Sequence, residues 1–329
     1  MKSGETKWLK LLREGGIGYD PSHFEFFLLN SMQLKKFLKE NKNVKLIKPK
    51  FENDFFEAFV DLTYRCNLRC RHCHNQYDPY EPPLRDILKI LKQVFEVGVL
   101  HISFGGGEPT LRKDLVKILS FTYKRASCSI TTNGTTMTDE LAKKLKDCVS
   151  YISVSLDGMR KGHNLMRNAD IFDRVLESIK IIKENGIRLR IITVPTKLNY
   201  KEIPKLARFL KRKIKPNAWK IMRFIPENER GLDIMLSDEE ERWLYNQLRK
   251  VKYGKVMDQF YKLKCPIGDG VFSIYANGDV SPCGFFPQLT VGNCLKTPLR
   301  KLLKAFEFFK RCEFDECLAI AYWRSRVRK

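Results

Sequence analysis

Short apolar runs recur through the middle of the chain, at 58–63, 99–104, 127–131, 150–156, 188–194 and 218–225, each the length of a buried strand. Between them, apolar positions return every three or four residues, the spacing of one helix face. The clearest set is Leu84, Ile87, Leu88, Leu91, Val94 and Phe95; others are Leu111/Leu115/Ile118/Leu119, Phe172/Val175/Leu176/Ile179 and Ile203/Leu206/Ala207/Leu210. Glu184-Asn185-Gly186 closes one helix with a residue suited to positive φ. Ser237-Asp238-Glu239-Glu240 opens another with a capping box. Strands alternating with helices predict right-handed βαβ units around a parallel sheet. Six units over about 180 residues fall short of the eightfold barrel, which takes about 250, so the pattern fits an open doubly wound sheet or an incomplete barrel.

The flanks differ. Residues 1–54 mix amphipathic stretches (Leu28, Leu34, Phe37, Leu38) with Lys-rich ones, and predict one or two helices and a strand near 44–47. They carry no recognisable chemistry. After about residue 252 the βα rhythm stops and Cys, Pro and Gly rise. Short strands at 271–276 and 279–282 surround Asn277-Gly278, a strong hairpin signal. The expected organisation is an extension over 1–54, a core over 55–235, and a linker helix with a small Cys-rich α+β extension over 236–329.

With 43% hydrophobic and 30% charged residues, the 329-residue chain has the makeup of a folded protein. No apolar run reaches the roughly 20 residues of a membrane span. The first residues lack the apolar segment of a secretory signal, so a cytoplasmic location is expected. The 61 Lys and Arg against 38 acids leave a formal charge of +23, with clusters at 35–50, 205–220 and 300–329. Such a surface attracts polyanions. No aromatic–basic alternation accompanies it, so solubility or heat adaptation accounts for it as well, and nucleic acid is a less favoured partner. Ten cysteines in a chain read as cytoplasmic suggest metal ligands rather than disulfides.

The first cysteine group follows directly on a strand. Phe59-Val60-Asp61-Leu62-Thr63 leads into Cys66-Asn67-Leu68-Arg69-Cys70-Arg71-His72-Cys73. Three thiolates within eight residues can converge on one centre, at the end of a βα sheet where ligands bind. A zinc site would need a fourth ligand, which His72 or His74 could supply. A [4Fe–4S] cluster on three cysteines would keep one iron open. The C-x3-C-x2-C spacing resembles the signature of the radical S-adenosylmethionine (SAM) superfamily, with His72 where an aromatic residue usually stands. The next strand, ending Gly105-Gly106-Gly107-Glu108-Pro109, is similar to the family's Gly-Gly-Glu-Pro. The resemblance implies that Gly106, Gly107 and Glu108 hold the methionine amino group of SAM. Thr132-Asn133-Gly134 resembles the family's third-strand motif. Ser155 and Asp157 match its fourth strand, near the SAM ribose, and Arg167 matches an Arg that meets the SAM carboxylate. Thr193 and Asn199 fit the fifth strand weakly. The resemblance spans about 55–230 and implies a partial (β/α)6 TIM-like barrel.

Cys265, Gly278 and Cys283 resemble the opening of a SPASM or twitch extension, which binds auxiliary [4Fe–4S] clusters. Only Cys294, Cys312 and Cys317 follow, and Cys312 to Cys317 departs from the family spacing. The implied arrangement is one auxiliary cluster on Cys265, Cys283, Cys312 and Cys317, with Cys294 discounted. Cys128 and Cys148 read as buried hydrophobes, His101 as a core residue, and Phe306, Phe308 and Phe309 as packing.

The resemblance implies reductive cleavage of SAM at the front cluster, fed by a low-potential electron donor, to a 5′-deoxyadenosyl radical that abstracts hydrogen from a substrate. A peptide or protein substrate is expected, with cofactor biosynthesis or RNA modification as alternatives. The rival from another class is a zinc-containing nucleic-acid-binding protein. It leaves unexplained why glycine and Ser/Asp motifs fall at successive strand ends.

Overall fold

The computed structural model describes residues 6–12, 15–74, 79–226, 229–251, 256–258, 267–268, 270–310 and 317–327. Six parallel strands run in sequence order through its centre: β5 (Glu57–Asp61), β6 (His101–Gly105), β7 (Ser127–Thr132), β8 (Tyr151–Ser155), β9 (Leu189–Thr193) and β10 (Ala218–Ile221). They follow the apolar runs to within a few residues. This is the expected α/β architecture, a partial (β/α)6 barrel, completed at its edges by shorter strands. Before β5 come β1 (Lys7–Leu12), β2 (Gly15–Asp20), β3 (Glu25–Leu29) and β4 (Val44–Ile47). After β10 come β11 (Val256–Asp258), β12 (Val271–Ile274), β13 (Asp279–Ser281) and β14 (Gly292–Asn293).

Each central strand has two unlike faces. Ala58, Val60, Ile102, Phe104, Cys128, Ile130, Ile152, Val154, Leu189 and Ile191 are fully buried against the surrounding helices. The Leu84–Val97 helix supplies Ile87, Ile90, Leu91, Val94 and Val97 to that layer and ends at Gly98, whose φ of 74° suits glycine. Burying each such aliphatic side chain is worth about 2 kcal/mol. The opposite face is polar: Glu57, His101, Ser103, Ser127, Ser129, Ser153 and Arg190 alternate with the apolar set, as the period of two requires.

The C-terminal hairpin is continuous with this sheet. β12 runs parallel to β5, with Ser273 beside Phe59, and β13 returns antiparallel after Gly278, at φ 90°. Phe272, Ile274, Val280 and Phe306 join the main core. Phe306 therefore packs as expected, whereas Phe308 is exposed. β11 adds a parallel strand beyond β10.

Residues 6–47 depart from expectation. The helix Ser31–Glu40 and β4 are present, but β1, β2 and β3 join them in a separate sheet of order β3-β2-β1-β4. Its aromatic face (Trp8, Tyr19, Phe24) packs on Leu100, Tyr151 and Ala218, at the N-terminal ends of barrel strands. That end is thereby closed, and the C-terminal ends carry the motifs. Lys10 fastens the junction. Fully buried, its ammonium donates to Asn53 Oδ1 at 2.7 Å, Phe55 O at 2.7 Å and Val97 O at 3.2 Å. Burial lowers its pKa to about 8, so it remains largely charged at pH 7. Lys10→Met removes these bonds and is expected to cost about 2–3 kcal/mol, read as an earlier urea midpoint.

Candidate functional site

Four loops meet at the C-terminal ends of β5 to β8. The cysteine loop after β5 is bonded to the glycine loop after β6: Gly107 N donates to Thr63 O at 2.6 Å and Glu108 N to Arg65 O at 2.8 Å. Glycine is required for that approach. Gly106 has φ 110°, and a Cβ on Gly107 would overlap the Arg65 carbonyl. Gly107→Ala must displace the cysteine loop. Its expected result is a stability loss of about 1–3 kcal/mol, read as an earlier urea midpoint, because the Cβ meets backbone rather than a side chain that can move aside.

Glu108 is almost fully buried and faces the end of β7. Its Oε1 accepts from Thr132 Oγ1 (2.7 Å), Thr110 N (3.2 Å) and Thr110 Oγ1, and its Oε2 from Asn133 N (2.7 Å). Burial nevertheless pushes its pKa up. Of the roughly four lone-pair sites of a carboxylate, one on Oε2 remains for a ligand donor. Asn133 is a tie rather than an open amide. Its Nδ2 donates to Asn67 Oδ1 at 2.9 Å, and its Oδ1 accepts from Thr135 N and Oγ1. Asn67 also donates to Thr135 Oγ1, so the loop after β7 is stitched to the cysteine loop.

Asp157, just past β8, is fully buried and takes Arg167 Nε at 2.7 Å and Nη2 at 2.6 Å on one oxygen, with Val194 N at 3.0 Å on the other. Burial alone would raise its pKa, but the Arg167 guanidinium reverses the sign and holds it below the ordinary carboxylate range. Arg167 in turn donates from Nη1 to Cys70 Sγ at 3.7 Å. Thus Asp157 stands behind Arg167 and aims it at the cysteine loop. Ser155 lies buried at the end of β8. Asn199 donates to Asp157 O and Val194 O, and Thr193 to Leu156 O, so both brace this turn.

Cys66 and Cys73 are half-buried and Cys70 is buried, none of them in a disulfide. Burial raises the Cys66 thiol pKa, partly offset by Leu68 N, which donates to its sulfur at 3.5 Å. His72 is held neutral, its pKa lowered by burial to about 4, and its Nδ1 is buried without a hydrogen-bond partner. Among the described residues, no three Cys, His, Asp or Glu side chains already meet around a single-ion site. The donor set fits an iron–sulfur cluster: three thiols on one short loop, with N–H donors directed at two of the sulfurs. Hydrogen bonds to sulfur are among the features that set the potential of such clusters.

In the C-terminal part, Cys265 and Cys312 lie outside the described residues. Cys283 is half-buried, and its carbonyl accepts from Tyr275 Oη and Ser281 Oγ. Phe285 meets His74 with ring centroids 5.7 Å apart, which brings the loop of Cys283 beside that of Cys73. Cys317 is half-buried just ahead of the Leu318–Val327 helix. Cys294 is a core thiol, its pKa pushed up by burial to about 12. Cys128 and Cys148 are buried, and His101 bonds to Ser127, Ser129 and Tyr151, again as expected. Sequence reasoning missed Asp61, at the end of β5, whose pKa burial raises to about 7. It also missed Arg112, buried and bonded to Leu62 O and Pro82 O beneath the cysteine loop. The alternation within β5 was the available signal for Asp61.

The thiol, glycine and Ser/Asp turns thus stand at successive strand ends of the parallel sheet. The radical SAM superfamily model matches residues 60–210, so this stretch carries a radical SAM domain, the cofactors of that family being a [4Fe–4S] cluster and SAM. Fe-coproporphyrin III synthase of Methanosarcina barkeri is 34% identical over 151 residues, covering 44% of this chain and 38% of that protein. AdoMet-dependent heme synthase of Nitratidesulfovibrio vulgaris is 28% identical over 78% of this chain and 80% of its own length. Among solved structures, Streptococcus suis SuiB bound to precursor peptide SuiA superposes with a TM-score of 0.72 at 19% identity, over 91% of this chain and 87% of that one. This last likeness is one of fold. No helix among the described residues is long and apolar enough to cross a membrane.

Proposed function

We propose that the chain is a radical SAM enzyme whose front cluster is held by Cys66, Cys70 and Cys73. When bound, the cluster supplies the electron that cleaves SAM reductively and yields a 5′-deoxyadenosyl radical for hydrogen abstraction. The observation that carries this reading is the Asp157–Arg167–Cys70 relay, which sets a fixed guanidinium beside the cysteine loop. Arg167 offers the N–H groups left on Nη1 and Nη2 to the SAM carboxylate. The Gly106–Gly107 backbone and the remaining Oε2 lone pair of Glu108 accept from its ammonium group. Ser155 serves the ribose. Asp157 and Asn133 act as positioning residues, one for Arg167 and the other for the cysteine loop.

Cys265, Cys283, Cys312 and Cys317 hold one auxiliary [4Fe–4S] cluster in this proposal. The contact between His74 and Phe285 supports a short separation between the two cysteine loops. A low-potential donor of the reducing cytoplasm supplies electrons. The substrate is a peptide or protein, a reading supported by the fold likeness to a peptide-bound neighbour. A carboxylate-bearing tetrapyrrole is the second reading, favoured by the heme synthase relative, which the chain matches over four-fifths of that protein's length. The test is anaerobic incubation of the reconstituted protein with SAM and dithionite. Formation of 5′-deoxyadenosine and methionine is expected, and intact SAM after many hours would contradict the proposal.

A further inference from the structure

The polar concave face of the sheet is not accounted for by SAM cleavage. Phe59, at the middle of a strand flanked on both sides by β6 and β12, is nevertheless 37% exposed. A central strand can be open to solvent only if there is space in front of it, so a lumen lies before Phe59. Two cations share this face. Arg190 donates from Nε to Ser153 Oγ at 2.9 Å, and its guanidinium lies 4.6 Å from the centroid of the Tyr151 ring. The Arg190 Nη atoms and the Lys220 ammonium have no hydrogen-bond or ion-pair partner among the described residues, Arg190 being buried and Lys220 half-buried. Glu57, whose carboxylate accepts from Ser103 Oγ at 3.2 Å, acts electrostatically on both Lys220 and Arg190, and Lys220 also feels Arg190.

From this arrangement we infer that Arg190 and Lys220 form a subsite for a substrate carboxylate, with Phe59 as the apolar shelf beneath the rest of the molecule. Arg supplies a planar fork matched to carboxylate, and Lys a second positive charge. Burial pushes the Glu57 and Asp61 carboxyls upward, which weakens their opposition to a guest anion, and lowers the Lys220 ammonium to about 8. The assignment rests on the proposed SAM site at the C-terminal ends of the strands, because the guest enters the concave face from that end and Arg190 lies deeper, level with Ala218. The carboxylate can belong to a small molecule or to an acidic side chain of a peptide.

The test uses the reactivity of Lys220 in the full-length reconstituted protein. Reductive methylation at pH 8 is followed at each lysine by peptide mass spectrometry, in the presence of 3-phenylpropionate or its neutral amide, 3-phenylpropionamide. The acid is expected to slow modification of Lys220 at least about fivefold, leaving surface lysines unchanged, while the amide has no effect. In Arg190→Lys, protection should weaken by about tenfold in acid concentration; circular dichroism and SAM binding report whether that variant is folded. Protection also by N-acetyl-Glu-Phe-amide assigns a peptide side chain, and protection by the free acid alone assigns a small carboxylate. Equal rates with acid and amide, or a Lys220 that does not react, overturn the inference. SAM binding is measured in the same samples. Its absence would count against the SAM reading, whereas intact SAM binding without protection would count against the carboxylate subsite alone.

Discussion

Cys70→Ser is expected to lower SAM cleavage by more than about a thousandfold, a barrier increase of some 4 kcal/mol, and to remove one cluster's share of iron. The serine oxygen is a poorer ligand for iron–sulfur clusters than thiolate. The change also removes the sulfur that Arg167 faces at 3.7 Å. Cys294→Ser is the matched control. That thiol is 2% exposed within the apolar core, so its replacement should cost about 1–3 kcal/mol of stability by burying an imperfectly partnered hydroxyl. Iron content and cleavage rate should be unchanged. Iron and sulfide assays with deoxyadenosine chromatography separate the two outcomes. Equal iron in Cys70→Ser and the parent protein would remove Cys70 from the ligand set.

Arg167→Met is expected to have the second-largest effect, because it strips the partner from a carboxylate with no exposure. Breaking a buried pair on one side costs about 3–5 kcal/mol. Exchanging both members, as in Asp157→Asn with Arg167→Met, should recover part of that loss, since no buried charge remains. The pH dependence has a definite sign. The Asp157 pKa is lowered in the folded protein, so its pairing stabilises above the unfolded value of about 3.9 and is lost as pH falls through the folded value. In Arg167→Met the unpaired buried carboxyl titrates upward instead. The gap in stability between the variant and the parent should therefore be widest near neutrality and shrink toward pH 4. Urea midpoints at pH 4 and pH 7 measure it. A gap independent of pH would mean that Arg167 stabilises by packing alone.

The six central strands were readable because each presents an unbroken apolar set to the helices, and the hairpin because Asn277-Gly278 fixes its turn. The small N-terminal sheet was not. β2 reads Gly15-Gly16-Ile17-Gly18-Tyr19-Asp20, where three glycines erase the strand pattern. The reason is spatial: the Phe27 ring of β3 lies across Gly18, where any Cβ would collide with it. Neighbouring side chains, rather than this strand's own pattern, make it a strand.

The site was legible at its motifs and hidden in its pairings. Cysteine spacing and the glycine triplet mark the loops that meet. That Asp157 faces Arg167, and that Asn133 ties to Asn67, depends on contacts between groups 10 and 66 residues apart. The same limit concealed Arg190 and Lys220. Alternate polar residues on β9 and β10 look like a solvated face until curvature of the sheet encloses them.

Electron paramagnetic resonance of the anaerobically reconstituted, reduced protein, with and without SAM and alongside iron and sulfide analysis, tests the central claim most directly. About eight irons per chain in two [4Fe–4S] clusters are expected, with a reduced-cluster signal that SAM perturbs. Zinc in place of iron, with no spectral response to SAM, would contradict it.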